Sequence, residues 1–193
     1  MYHRLPTGVS FWLFLLSVDK KLAEETRKRG CGCGGRLHVA DYRRKPRGGP
    51  DKLPLECCYR LSFCCDRDGC RKRRTPPSVR FLGPKVYLTA VVVLVAAMRH
   101  GAAPRRVREL SAHFGADRRT IERWRVFWEE QVSPSPFWKV ARGRLVPITD
   151  VASVPRALVN AFLDSGDLHG GWKKLLEFLA PITVTGGLQS QVF

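Results

Sequence analysis

Residues 108–128, RELSAHFGADRRTIERWRVFW, contain two apolar-periodic segments divided by a glycine, and the second segment is rich in arginine. This is the pattern of a helix-turn-helix. The first helix needs an apolar residue followed by a small one where the two helices cross, and Leu110 and Ser111 fill those positions. Phe114 precedes the turn, and Gly115 makes it, because one residue there takes positive φ. Ala116 follows, Asp117 is the expected N-cap of the second helix, and Ile121 and Trp124 are its two inward anchors, three residues apart. Val126, Phe127 and Trp128 are expected to extend the apolar side as core. With Ile121 and Trp124 facing inward, Arg118, Arg119, Glu122, Arg123 and Arg125 face outward or sideways. Together with Thr120 they form the candidate DNA-binding set, since arginines near the start of a recognition helix suit guanine edges and phosphates. The competing reading is a solvated charged face on an ordinary bundle helix.

The charge balance favours the DNA reading. The chain of 193 residues has a formal net charge of +17. Of its 34 basic residues 28 lie before Val132, against 13 of its 17 acidic ones, so the positive charge is concentrated in the first two thirds. Such a field attracts polyanions, nucleic acid first among them. An anionic membrane is the rival, but no lipidation motif occurs. The run Phe11–Leu16 is too short for a signal sequence and lacks a cleavage site. The run Val86–Met98 is too short to span a bilayer and reads as a buried core helix. A cytoplasmic protein without membrane association is expected.

Outward from the opening stretch, four parts are expected: an N-terminal helix within residues 1–30, a zinc-ribbon-like segment over 31–80, a helix-turn-helix domain over 81–131 and a helical tail over 132–193. The fold class is therefore mainly α, with one small β segment. Ser10 is the candidate N-cap of a helix from Phe11 to about Arg29, whose apolar positions are Phe11, Phe14, Leu15, Val18 and Leu22, and Gly30 ends it. RLHVADY (36–42) and YRLSFCC (59–65) are short strand candidates. The basic loop Arg43–Pro54 lies between them, and Arg43, Arg44, Lys45 and Arg47 are candidate phosphate contacts. RTPPSV (74–79) and SPSP (133–136) read as linkers. A helix is expected from about Pro84 to His100, and two more in the tail, over about Val154–Asp164 and Gly171–Leu179.

Seven cysteines in a chain expected to be intracellular point to a metal rather than disulfides. Cys31 and Cys33 sit in one glycine-bearing turn, Cys65 and Cys70 in another, each beside a strand candidate. Two turns presenting two thiolates each is the plan of a zinc ribbon, and four thiolates close a tetrahedral shell. Tyr59, Leu61 and Phe63 share a strand face that Cys65 continues, whereas Cys64 points the other way. Cys57 and Cys58 fall before that strand and are poorer ligand candidates. The spacing Cys31-Gly32-Cys33 is one residue tighter than the usual knuckle, and the competing reading is a set of buried free thiols.

The segment DRRTIERWRVFW resembles the recognition helix in the N-terminal DNA-binding regions of insertion-sequence transposases. The combination of CGCGGRLHVADYRRKPRG, FCCDRDGCRKRRTPPSVRFLGPKVY and the helix-turn-helix pattern resembles a family of small, mostly uncharacterised bacterial zinc-ribbon proteins thought to be transposon-related. That resemblance covers about residues 11–131 and implies DNA binding without implying a reaction. A separate transposase subunit is the further candidate partner.

No catalytic centre is legible. Strand transfer needs three carboxylates converging on two metal ions. After the arginine-rich segment only Glu129, Glu130, Asp150, Asp164, Asp167 and Glu177 remain, in too little chain for the sheet such chemistry uses. Neither a phosphate-binding glycine loop nor a nucleophile elbow occurs. The expectation is a non-enzymatic, zinc-containing, double-stranded DNA-binding protein, a transposon accessory, remnant or regulator. An RNA-binding ribbon module and a protein-interaction scaffold are the alternatives.

Overall fold

The computed structural model describes residues 8–44, 46–48, 50, 52–82, 89–96, 108–109, 111–112, 114–145, 154–163, 166–184 and 186–189. The described chain is mainly helical with a small antiparallel β portion.

Helix α1 spans Val9–Arg29. Its cap is Gly8, not Ser10, and no side chain caps it; Ser10 lies inside the first turn. Arg27, Lys28 and Arg29 occupy the last turn, where positive charge suits the helix dipole. Gly30, at φ 69°, stops the helix and donates its N–H to the Arg27 carbonyl. The buried stripe is Phe11, Trp12, Leu15, Leu16, Val18, Asp19 and Ala23, while Phe14 is exposed. The stripe is thus rotated from the expected one: the larger Trp12 faces the core, where its area is worth most.

Two small antiparallel ladders follow. Strand β1 (Leu37–Val39) pairs with β4 (Phe63–Cys65), and β4 with β5 (Arg73–Arg74); β2 (Tyr42–Arg43) pairs with β3 (Tyr59–Arg60). Each strand expected from the sequence is therefore broken in two. The break is closed by Asp41, whose carboxylate accepts from the Ser62 N–H at 2.8 Å, beside an Ala40 N–H to Ser62 carbonyl bond of 2.8 Å.

Helix α2 (Thr89–Ala96) carries three successive β-branched valines, weak helix formers. Burial overrides propensity: Thr89 to Val93 and Ala96 are all buried. The expected flanks of this helix, 84–88 and 97–100, lie outside the described residues. Around α2 stand α3 (Arg118–Val126), α5 (Val154–Leu163) and α6 (Leu168–Leu179). A π-helical turn, Phe127–Val132, continues α3 and turns Phe127, Trp128 and Val132 inward. Val126 is exposed, contrary to expectation, because it falls on the outer side of that register. The SPSP stretch is not a linker. Ser135 caps a helix α4 (Pro136–Ala141), accepting from the Trp138 N–H at 3.1 Å, with Pro136 in the first turn, where its missing N–H costs nothing. Helix α6 begins three residues earlier than expected, on Asp167, whose side chain accepts from the Gly170 N–H.

The segment 74–79 is likewise not a loose linker. Ser78, Val79, Arg80, Phe81 and Leu82 are buried, and one continuous apolar cluster joins α1, Val79–Leu82, α2, α3, the π turn and the C-terminal helices. At its centre lies an ion pair, both side chains 1% exposed: Arg80 Nε to Asp19 Oδ2, 2.8 Å. Every oxygen and nitrogen of the pair is directed. Asp19 also accepts from the Ser78 hydroxyl and the Val79 N–H, both at 2.7 Å. Arg80 donates to the carbonyls of Cys57 at 2.8 Å and Tyr59 at 3.0 Å. The Ser78 N–H donates in turn to Thr183 Oγ1 at 2.9 Å.

Removing one member of such a pair strands the other charge in the interior. Asp19→Ala should cost about 3–5 kcal/mol of unfolding free energy. The double variant Asp19→Ala/Arg80→Met should recover part of that loss. Urea unfolding followed by circular dichroism checks both; equal stability of the single and double variants would refute the coupling.

Candidate metal centre and basic helix

The first cysteine turn starts where α1 ends. Cys31 follows Gly30, the Gly34 N–H closes the turn onto the Cys31 carbonyl at 2.8 Å, and Gly34 takes φ 83°. The second turn follows β4: the Cys70 N–H donates to the Arg67 carbonyl at 3.1 Å, with Gly69 at φ 80°. The pairing of β1 with β4 sets Leu37 opposite Cys65 and draws the turns together. The sulfurs of Cys31, Cys33, Cys65 and Cys70 all lie within 4.8 Å of one another. Cys31 and Cys70 sulfurs are 3.7 Å apart, and Cys33 and Cys65 sulfurs 3.5 Å.

These distances fit a metal. Four sulfurs at about 2.3 Å from a tetrahedral ion stand about 3.8 Å from each other. A disulfide needs about 2.05 Å, and the cysteines are free. The tighter first spacing is thus no obstacle to convergence. The main chain prepares the sulfurs for negative charge. The Cys33 N–H, and after it the Cys33 thiol, bring the Cys31 thiol down to about 6. The Gly35 N–H, followed by the thiols of Cys70 and Cys65, lowers Cys33. At Cys65 the Arg67 N–H acts the same way, but burial and the three neighbouring sulfurs outweigh it and push the thiol up to about 12. The first turn thus favours thiolates while crowding opposes ionisation of Cys65, an opposition that a bound cation would lift.

The remaining cysteines stand apart from this group. Cys57 belongs to the main apolar core, where burial pushes its thiol up. Cys58 donates to the Pro54 carbonyl, and Cys64, on the opposite strand face, donates to the Arg71 carbonyl. Sequence reasoning passed over Gly35. A Cβ there would stand 2.5 Å from the Cys65 sulfur and 3.0 Å from Arg67 Cβ. The glycine is what lets the two turns close, and only the strand register reveals it.

The second candidate site is α3. Helical residues 108–109, 111–112 and 114 precede it; Leu110 lies outside the described residues. Gly115 takes φ 62°, and Ala116 is fully buried. Asp117 caps α3 through the Thr120 N–H at 2.7 Å, a bond that also holds its carboxyl below the usual range. Ile121 and Trp124 are buried; Arg118, Arg119, Glu122 and Arg123 are exposed, and Arg125 is half-buried. Two of the exposed arginines already have intrahelical partners. Arg118 pairs with Glu122 at 2.7 Å, and Arg123 reaches Thr120 Oγ1 at 3.0 Å. Thr120 itself is buried, its hydroxyl held under Arg123 rather than presented outward.

In the basic loop, Arg43 is exposed on β2 opposite Tyr59. Arg44 is half-buried, its N–H on the Cys58 carbonyl at 2.7 Å. Arg47 is exposed, and Lys45 lies outside the described residues. No described helix is long and apolar enough to cross a membrane. The chain matches no family model, and neither a curated protein nor a solved structure matches it.

Gly35→Ala should weaken metal binding about 10–100-fold, the range seen when the support of a metal ligand is lost. Gly32→Ala is the control, since its Cβ meets nothing closer than Arg74 Nη2 at 3.5 Å. Competition against a chromophoric chelator measures both. Metal retention should also fall as pH is lowered, because each thiolate must be won from a proton.

Proposed function

We propose that the chain is a non-catalytic, zinc-stabilised protein that binds double-stranded DNA through a helix-turn-helix whose second helix is α3. The observation that carries the reading is the division of α3 into two faces. Ile121 and Trp124 hold it to the core, and an exposed face presents Arg118, Arg119 and Arg123 beside a sharp glycine turn. The net charge of +17 supplies the long-range attraction a polyanion requires. A four-thiolate set favours zinc over harder divalent ions. The ribbon so held is too small to build a core of its own: its apolar cluster holds four ribbon residues, Cys31, Leu37, Phe63 and Cys65, and Ala23 of α1. A transposon-related role rests on the sequence resemblance, and a separate transposase subunit is a candidate partner within it.

Fluorescence anisotropy with labelled duplex, competed by structured RNA, tests the reading. Tight, salt-dependent duplex binding that RNA displaces poorly supports it; no duplex binding above background overturns it. Within it, Arg119→Ala and Arg123→Ala should each relax base preference at one position, by about 1–3 kcal/mol. Trp124→Ala should instead unfold the helical region, at about 3–5 kcal/mol. Binding-site selection alongside circular dichroism separates the outcomes. For the metal, elemental analysis should find about one zinc per chain, and Cys70→Ser should lose it.

A further inference from the structure

We propose that the edge strand β5 forms a second phosphate-contact surface for duplex DNA, with Lys72 and Arg74 as its contacting cations. This rests on the DNA-binding reading above and adds a surface to it that the arginine helix does not contain. Strand β5 is bonded on one side only, to β4, and the Cys65 N–H reaches the Lys72 carbonyl at 3.1 Å. Four consecutive basic residues are exposed here: Arg71 and Lys72 lead into the strand, and Arg73 and Arg74 form it.

The four divide into two pairs by what they touch. Arg71 is held by Asp68 at 2.7 Å. Arg73 donates to the Ala40 carbonyl at 2.7 Å and to Ser62 Oγ at 3.0 Å, and it lies over the Tyr42 ring. Arg73 is held by the fold, and Arg71 carries its own surface counter-charge. The Cys65–Lys72 bond continues the β4–β5 register, so Lys72 and Arg74 take the other face, and neither side chain has a hydrogen bond or an acidic partner among the described residues. The register puts Arg74 opposite Phe63, on the strand face of Cys65, and its guanidinium stands 3.5 Å from where a Gly32 Cβ would be. The two cations therefore flank the cysteine turns, and Cys70, two residues before Lys72, ties their position to the metal shell. Charge at a sheet edge also discourages strand pairing, but a single charge suffices for that. Two unpartnered cations of one sign on one face match a phosphate backbone, with contacts that carry no sequence information.

Duplex affinity of the full-length, zinc-loaded protein measured across a salt series tests the assignment. Lys72→Gln/Arg74→Gln should weaken binding about tenfold or more at 0.15 M salt and flatten the slope of log K against log salt by about 2, while base preference stays unchanged. Lys21→Gln/Arg27→Gln, which removes the same charge from the exposed side of α1, should change both far less. If the two double variants behave alike, or the first binds as wild type does, β5 is not a contact surface while the DNA reading stands. If wild type binds no duplex, the DNA reading itself fails. Should structured RNA bind wild type more tightly than duplex and lose that advantage in the β5 variant, the surface belongs to RNA and the proposal is overturned. Zinc content checks the fold of each variant. If the double variant loses zinc, Lys72→Gln alone should flatten the slope by about 1, and an unchanged slope there overturns the proposal equally.

Discussion

The Asp19–Arg80 ion pair is the constraint on which the rest of the architecture depends. A buried charge pair has a large desolvation cost, and it persists only where further hydrogen bonds complete it. Here the completion comes from four separate parts of the chain. Asp19 belongs to α1, Ser78 and Val79 to the connecting segment, the Cys57 and Tyr59 carbonyls to the β portion, and Thr183 to the turn after α6. No one of these elements can shift without stranding a charge or a carbonyl. The pair thereby converts what composition marks as a proline-bearing linker into the junction between the two halves of the molecule.

The metal centre depends on that junction from one side and on strand register from the other. Among the described residues, the apolar cluster around the β portion is Cys31, Leu37, Phe63 and Cys65 with Ala23 of α1, and two of the four β-portion members are thiols of the sulfur cluster. Apolar burial of that size cannot stabilise a fold, so the sheet relies on α1 through Ala23 and on Arg80 through two carbonyls, and a metal in the four-sulfur site would add to both. The N–H groups of Cys33, Gly35 and Arg67 each point at the sulfur two residues before them. The first turn is thus arranged for thiolates ahead of any metal, whereas at Cys65 burial and the neighbouring sulfurs outweigh the N–H.

Much of this was legible in the sequence, for definite reasons. The cysteine set could be chosen because strand alternation is strict: Cys65 continues the face of Phe63 and Cys64 cannot. The faces of α3 could be assigned because Gly115, Asp117, Ile121 and Trp124 are local signals within ten residues. What stayed hidden involves partners far apart in the chain. Nothing near Asp19 announces Arg80, 61 residues away. Gly35 is one of many glycines until register brings Cys65 over it. Helix α4 was hidden for another reason: Ser135-Pro136 begins a helix as readily as it ends one, and only the burial of Phe137 and Trp138 decides between the two.

The same junction bears on how two basic surfaces can serve one ligand. The arginine face of α3 and the cations of β5 belong to different halves of the molecule, and a flexible tether between the halves would let each find phosphates independently. Arg80 removes that freedom, since its guanidinium is bonded to the β portion at Cys57 and Tyr59 while its own main chain accepts the Thr89 N–H at the start of α2 at 2.8 Å. With α2 packed on α3, Arg80 thus links the Cys57–Tyr59 segment to the helices that carry the arginine face. A rigid connection pays the ordering entropy during folding instead of during binding, so the second contact forms at high effective concentration if the spacing matches the duplex, and not at all if it does not. On the proposed DNA-binding reading, loosening the buried ion pair would weaken the cooperation of the two surfaces before it removed either one.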